Sequence, residues 1–216
     1  MTGKEGAAIN QVFKELDKPR QEKIWNAAFE EFAGHGYKKA STNRIVETAG
    51  ISKGMLFYYF NSKKELYQDL IEYGISCIKD DYLHLIDETQ ADFIEKFRQA
   101  SVIKLKAFHD NPHILNFFGS IYLNPEEAGL SEAMLKEIGS VQELGYAKFY
   151  AHVDTSLFRT DLPPEQITKL IRWCMDGYEK QLEDELKGKS LTSLDYEPYW
   201  EKFYQFLDTL KIIFYQ

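Results

Sequence analysis

The chain has 216 residues, 44% of them hydrophobic, and a formal charge of −8 at neutral pH. This apolar content excludes a disordered chain, and no apolar run reaches the roughly 20 residues a membrane-spanning helix needs. Cys77 and Cys174 stand far apart without a CxxC partner, which argues against a disulfide framework or a thiolate zinc site and for two free thiols.

The opening segment, MTGKEGAAINQ, lacks the apolar core of a signal peptide, so the sequence reads as cytoplasmic. Apolar spacing is helical almost throughout, and no convincing period-2 strand stands out. Ile9, Val12, Phe13 and Leu16 have the i, i+3, i+4, i+7 spacing of a short amphipathic helix. Pro19 suits the first turn of the next helix, with Asp17 beside it to complement the helix dipole. That helix runs through Ile24, Ala27, Ala28 and Phe32, and Gly34 and Gly36 offer its stop.

Ser41 or Thr42 can cap a further helix whose inward residues are Ile45, Val46 and Ala49. Gly50 then supplies the positive φ of a tight turn. Ser52 caps a helix carrying Leu56 and Phe60. Ser62 and Glu65 form an S-x-x-E capping box that starts a fourth helix through Leu66, Leu70, Tyr73 and Cys77. Beyond residue 80, breaks at Asn111-Pro112, Asn124-Pro125, Pro163-Pro164 and Gly188 divide the remainder into five or six helices. The fold class is all-α: a three-helix helix-turn-helix head over residues 1–65 and a larger helical body over 66–216.

Charge singles out the head. Residues 36–64 hold six cations (Lys38, Lys39, Arg44, Lys53, Lys63 and Lys64) against one acid, Glu47, a local +5, so the rest carries −13 (−8 minus +5). A basic segment within an acidic chain is a candidate phosphate-facing surface.

The run STNRIVETAGISKGMLFYYFNSKKELY, residues 41–67, reads as two short helices joined by Ala49-Gly50-Ile51-Ser52. Ile45, Ala49, Leu56 and Phe60 fix their angle, and Ile51 fills the corner. Ser52, Lys53, Met55, Phe57, Tyr58 and Tyr59 remain to face outward. A helix of that size fits the major groove, where its N-terminal residues meet base edges.

From about Arg20 to Tyr67 the sequence resembles the DNA-binding head of the TetR family of bacterial regulators. The resemblance rests on FAGHGYKKAST, the AGISKG turn, LFYYF and the SKKEL entry to the fourth helix. The family commonly has Tyr where this chain has Phe57, and often His where it has Tyr59. Phe57 keeps an aromatic face for a thymine methyl but loses a hydroxyl that could bond a phosphate, which bears on operator preference. By resemblance and chemistry together, Thr42 and Asn43 meet phosphate with the free N–H groups of their helix. Lys53 and Met55 approach bases with Phe57 alongside, Ser52 belongs to the same DNA-facing set, and Gly54 allows close backbone approach. Tyr58, Tyr59 and Lys63 grip the sugar-phosphate backbone.

The body is rich in aromatics, most of which a helical core explains. The resemblance implies a pocket there for a small-molecule effector, with Phe117, Tyr122, Tyr146, Tyr150 and Trp173 as candidate walls. Its class stays open, since no anchoring charge stands out. The final helix, with Tyr199, Trp200, Phe203, Phe206, Leu207, Leu210, Ile213 and Phe214, is apolar on two faces, more than one core contact requires. An antiparallel helix pair pressed against its symmetry mate would bury the excess in a four-helix bundle, the family's usual homodimer interface.

Nothing here reads as an enzyme, and no catalytic residue, metal site or cofactor is assigned. His109 and His113 are separated by the helix break Asn111-Pro112, and G-x-S-x-G, the P-loop and G-x-G-x-x-G are lacking. The resulting expectation is a homodimeric, ligand-responsive repressor on a palindromic double-stranded operator, with no membrane partner. The alternatives are a DNA-bound scaffold whose body docks a protein, and an enzyme or ligand-storage protein whose head only looks like a helix-turn-helix.

Overall fold

A computed structural model describes residues 11–189 and 191–216, and the chain is all-α. Its helices are α1 (Gln11–Lys14), α2 (Lys18–Lys39), α3 (Thr42–Ala49), α4 (Lys53–Phe60), α5 (Lys63–Asp81), α6 (Phe93–Asp110), α7 (Pro112–Leu123), α8 (Pro125–Ala128), α9 (Glu132–Tyr150), α10 (Pro164–Leu186) and α11 (Glu197–Phe214). Ile9 lies outside the described residues. The breaks fall where backbone chemistry requires them. Pro112, Pro125 and Pro164 each open a helix, where proline's missing N–H costs nothing, and Gly188 follows α10 at φ 79°. No helix among the described residues is long and apolar enough to cross a membrane.

The described chain packs as two compact units: residues up to Lys79 with Phe108–Val141, and Asp80–Ala107 with Gln142–Gln216. Residues 66–79 and 108–141 therefore pack with the head, across the boundary expected near residue 65.

The first unit is built on aromatic side chains. Phe13, Phe29, Phe32, Phe60, Tyr67 and Phe117 are all within 2% of complete burial. Each such side chain contributes roughly 1.5–3 kcal/mol of apolar transfer. Phe13 reaches from α1 onto Trp25 (4.9 Å between centroids) and Phe60 (4.9 Å), so the short N-terminal helix is part of this core. Helix α2 is not continuous, because Gly36 takes φ 65° and turns the chain before Tyr37.

The second unit centres on Phe93, Ile94, Phe158, Ile167, Ile171, Leu207, Leu210 and Phe214. Tyr178 of α10 stacks on Phe206 of α11 at 4.6 Å. The last turn of α11 is fastened to the start of α6 by polar contacts. The Tyr215 hydroxyl donates to Asp92 Oδ1 (2.8 Å) and accepts from the Ile94 N–H (3.1 Å), while Lys211 Nζ reaches Asp92 (2.9 Å) and Glu95 (3.3 Å). Burial alone would raise the Asp92 carboxyl. The Glu95 N–H, Lys211 and Tyr215 outweigh it and hold the carboxyl below its usual range. The clasp therefore stabilises the fold above the ordinary carboxylate pKa and is lost as pH falls through the depressed value. Tyr215→Phe removes two hydrogen bonds and is expected to cost about 1–3 kcal/mol in urea unfolding at pH 7. A midpoint equal to wild type would show the clasp to be idle.

Candidate nucleic-acid interface

The head begins with a well-capped scaffold. Asp17 caps α2 by accepting from the Arg20 N–H at 3.1 Å. Gly50 takes φ 67°, ψ 36° at the end of α3, the left-handed geometry expected of the turn. A side chain there would also meet the Lys23 ammonium at 3.1 Å. Ser52 caps α4 through the Met55 N–H (3.2 Å), and Ser62 caps α5 through the Glu65 N–H (3.1 Å). Ser41 departs from its expected role. It occupies the N-cap position of α3 without a side-chain capping bond, and its backbone N–H donates to Glu31 Oε1 at 2.7 Å instead.

Buried Ile45, Ala49, Leu56 and Phe60 hold α3 and α4. This leaves Ser52, Lys53, Gly54 and Met55 exposed on the first turn of α4, with Met55 at 43% and Tyr58 at 60%. Lys53 Nζ lies 6.0 Å from the centre of the half-buried Phe57 ring. On the first turn of α3, Thr42 is half-buried and Asn43 exposed. These residues form one polar, cationic and aromatic face at the N-termini of two helices, which suits phosphate and base edges.

Two residues expected on that face lie elsewhere. Tyr59 does not face outward: it is 5% exposed, with its ring against Phe13 at 5.6 Å. It lines a cleft of about 330 Å³ beside the turn, with Leu16, Arg20, Lys23 and Gly50 among the other walls. The reason is helical spacing, since Leu56, Tyr59 and Phe60 share one inward stripe. Lys63 is half-buried. Its ammonium donates to the carbonyls of Ala40 (2.7 Å) and Lys38 (3.3 Å) and sits 5.0 Å from the Tyr37 ring. It fastens the end of α2, and burial lowers its pKa against the opposing pull of Glu31.

Sequence reasoning missed the pair that organises this corner. Glu31 is 7% exposed and accepts from Arg44 Nε at 3.0 and 2.9 Å. Burial would raise its pKa. Hydrogen bonds from Arg44 and the Ser41 N–H, together with the charges of His35 and Arg44, bring the net shift down. A signal was available, because Ile24, Ala27, Ala28 and Glu31 fall on one i, i+3, i+4, i+7 stripe, so the acid sits on an apolar face.

The candidate effector residues fall in both units. Phe117 is fully buried in the first unit's core, edge-on to Phe29 (5.3 Å) and Tyr67 (5.8 Å), while Tyr122 of the same unit is 46% exposed. In the second unit Tyr146 stacks on Tyr150 at 6.0 Å, with the Arg172 guanidinium 5.4 and 5.7 Å from the two rings. Trp173 there is 57% exposed.

Residues 24–70 match the sequence pattern of the bacterial regulatory proteins of the tetR family. The helix-turn-helix-type transcriptional repressor AcnR of Corynebacterium diphtheriae is 43% identical over 53 residues, 24% of this chain and 27% of that protein. An uncharacterised regulator of the same type, YfiR of Bacillus subtilis, is 32% identical over 79 residues, 37% of each chain. The chain thus matches well under half the length of these two relatives. A TetR family transcriptional regulator from Chloroflexus aurantiacus is 19% identical, with a TM-score of 0.61 over 97% of this chain and 100% of that one, a likeness of fold. The head, residues 24–70, thus carries the sequence pattern of the tetR family of bacterial regulatory proteins, and the described all-α chain shares the fold of a TetR family regulator.

Proposed function

We propose that the protein is a homodimeric repressor that binds a palindromic DNA operator and is released by a small molecule. The observation that carries the reading is the exposed face of α4, where Ser52, Lys53, Gly54 and Met55 stand at the N-terminal end of a packed helix and Tyr58 is exposed one turn further along. In this reading residues 1–65 act as the DNA-binding domain and 66–216 serve effector binding and dimerisation. Two recognition helices enter successive major grooves about 34–36 Å apart. Lys53 and Met55 reach base edges, Phe57 lies alongside, and Thr42, Asn43 and Tyr58 meet the backbone. Tyr59 and Lys63 support that surface from inside, Tyr59 by packing and Lys63 by holding the end of α2.

Dimerisation is supported by α10. Gly177 lies in the interior of this 23-residue helix, where glycine costs about 1 kcal/mol relative to alanine. It is exposed, and no described atom outside its own helix lies within 4 Å of the point a Cβ would occupy. Leu170, Cys174, Gly177 and Gln181 share one stripe, a groove suited to close approach by the same helix of a second copy. An effector in the body acts by favouring a head separation that mismatches the operator. A tenfold change in occupancy needs a preference of about 1.4 kcal/mol between the two states.

The test uses a duplex that the full chain enriches from a random-sequence library. The combined change Lys53→Ala and Tyr58→Ala is expected to lower affinity for it by at least about thirtyfold, at roughly 1–3 kcal/mol per base or phosphate contact. The salt slope should fall by about 0.9 for the lost lysine–phosphate neutralisation, if Lys53 also screens the backbone. Undiminished binding by the double variant would sink the assigned face.

A further inference from the structure

The loop between α2 and α3 is held by side chains from three helices. From α2, Glu31 accepts the Ser41 N–H (2.7 Å) and both Nε contacts of Arg44. From α3, Arg44 Nη2 also donates to the Lys39 carbonyl at 3.2 Å. From α5, Lys63 donates to the carbonyls of Lys38 and Ala40. His35 stands beside the cluster, its Nδ1 3.5 Å from Glu31 Oε2. Four consecutive residues, Lys38 to Ser41, thus each have a backbone group fixed by a charged side chain, and the next residue, Thr42, opens α3.

We propose that Glu31 and Arg44 are positioning residues for DNA recognition: together they aim the first turn of α3 at the phosphate backbone without touching DNA themselves. The inference rests on reading α3 and α4 as the DNA-binding head. A carboxylate on an apolar helix stripe is a poor device for stability alone, since a well-packed hydrophobic residue usually does as well or better. What the ion pair adds is direction. The planar guanidinium fork accepts one geometry with a carboxylate, and the same carboxylate fixes the N–H that precedes the free N–H groups of Thr42 and Asn43. Two of the six cations in the basic segment, Arg44 and Lys63, are therefore engaged in holding the surface, while Lys53 on α4 is exposed.

Coulomb's law gives this proposal a distinctive sign. Glu31 is a negative charge close to a phosphate-facing surface, so neutralising it should tighten sequence-independent DNA binding. Only a role in aiming α3 makes the same change weaken binding to the preferred sequence. Partial unfolding would lower both affinities equally and leave their ratio unchanged.

The full chain and its variants Glu31→Gln and Arg44→Lys are titrated, well below each melting midpoint, with two duplexes. One is enriched by the wild-type chain from a random-sequence library; the other is a scrambled duplex of equal length and composition. Glu31→Gln keeps an acceptor for the Ser41 N–H, and Arg44→Lys leaves the net charge unchanged. The expected result is a fall of roughly tenfold or more in the preference for the enriched duplex in both variants. Affinity for the scrambled duplex should be equal or higher in Glu31→Gln and unchanged in Arg44→Lys. A preference retained by both variants, or affinities that fall equally on both duplexes, would overturn the proposal. If the wild-type chain enriches no duplex at all, the DNA-head reading falls, and the positioning role falls with it.

Discussion

Under the proposed homodimeric reading, Gly177→Arg is expected to leave the chain monomeric and to lower its affinity for an operator duplex by roughly a hundredfold or more. The size of the effect comes from linkage. In a dimer, seating one head confines the second near its half-site at an effective concentration that a free monomer does not experience. The choice of residue comes from the structure. Gly177 is exposed in the interior of α10, with no described atom beyond its own helix near the position of a Cβ. The lone chain therefore has room for an arginine side chain. Arginine is also a better helix former than glycine by roughly 0.5–1 kcal/mol, so the change does not itself weaken the fold of the isolated chain. In a close helix–helix interface the same side chain meets a neighbouring backbone. Sedimentation and anisotropy titration check the two halves of the expectation. A variant that remains dimeric and binds as wild type does would move the interface away from this stripe.

The architecture was legible because the signals that set it are local. Asp17, Ser52 and Ser62 are side chains whose short reach to a nearby N–H decides where a helix starts, and Pro112, Pro125 and Pro164 open helices for reasons internal to their own rings. Gly50 is similar, since its turn needs a positive φ whatever surrounds it. The site was legible in outline but not residue by residue. The hydroxyl of Tyr59 suggests an outward, phosphate-facing role, whereas its spacing from Leu56 and Phe60 turns it inward. Phe13, from a helix of only four residues, then closes over it. Glu31 and Lys63 find their partners 13 and 23 residues along the chain in Arg44 and Ala40, and no local pattern specifies such contacts. The effector residues were the least legible of all. Aromatic composition cannot separate Phe117, a core ring, from Trp173, which is more than half exposed.

Asp69→Asn is expected to stabilise the protein at pH 8 by roughly 2–4 kcal/mol and to leave it little changed near pH 4. Asp69 lies on α5, 3% exposed, and its Oδ1 has no hydrogen-bond partner among the described residues. Burial, then the charges of Glu72 and Glu65, push its pKa up to about 7 from an ordinary 3.8, with Lys14 pulling the other way. Between those values the folded chain keeps a proton that the unfolded chain has released. Stability is therefore full below the ordinary value and falls as pH rises towards 7, at most about 1.4 kcal/mol per pH unit. Asparagine has the same shape and no charge to desolvate, so the variant lacks this loss. Urea unfolding from pH 4 to 8 measures it as a difference between two proteins. Glu72, whose carboxyl is also raised by burial and by Glu137, then cancels to first order. Parallel stability curves for wild type and variant would mean that Asp69 is ionised at little cost. Diverging curves would mean that the helix leading out of the head carries a carboxyl that takes up a proton near neutral pH, and that the head's stability falls as this proton leaves.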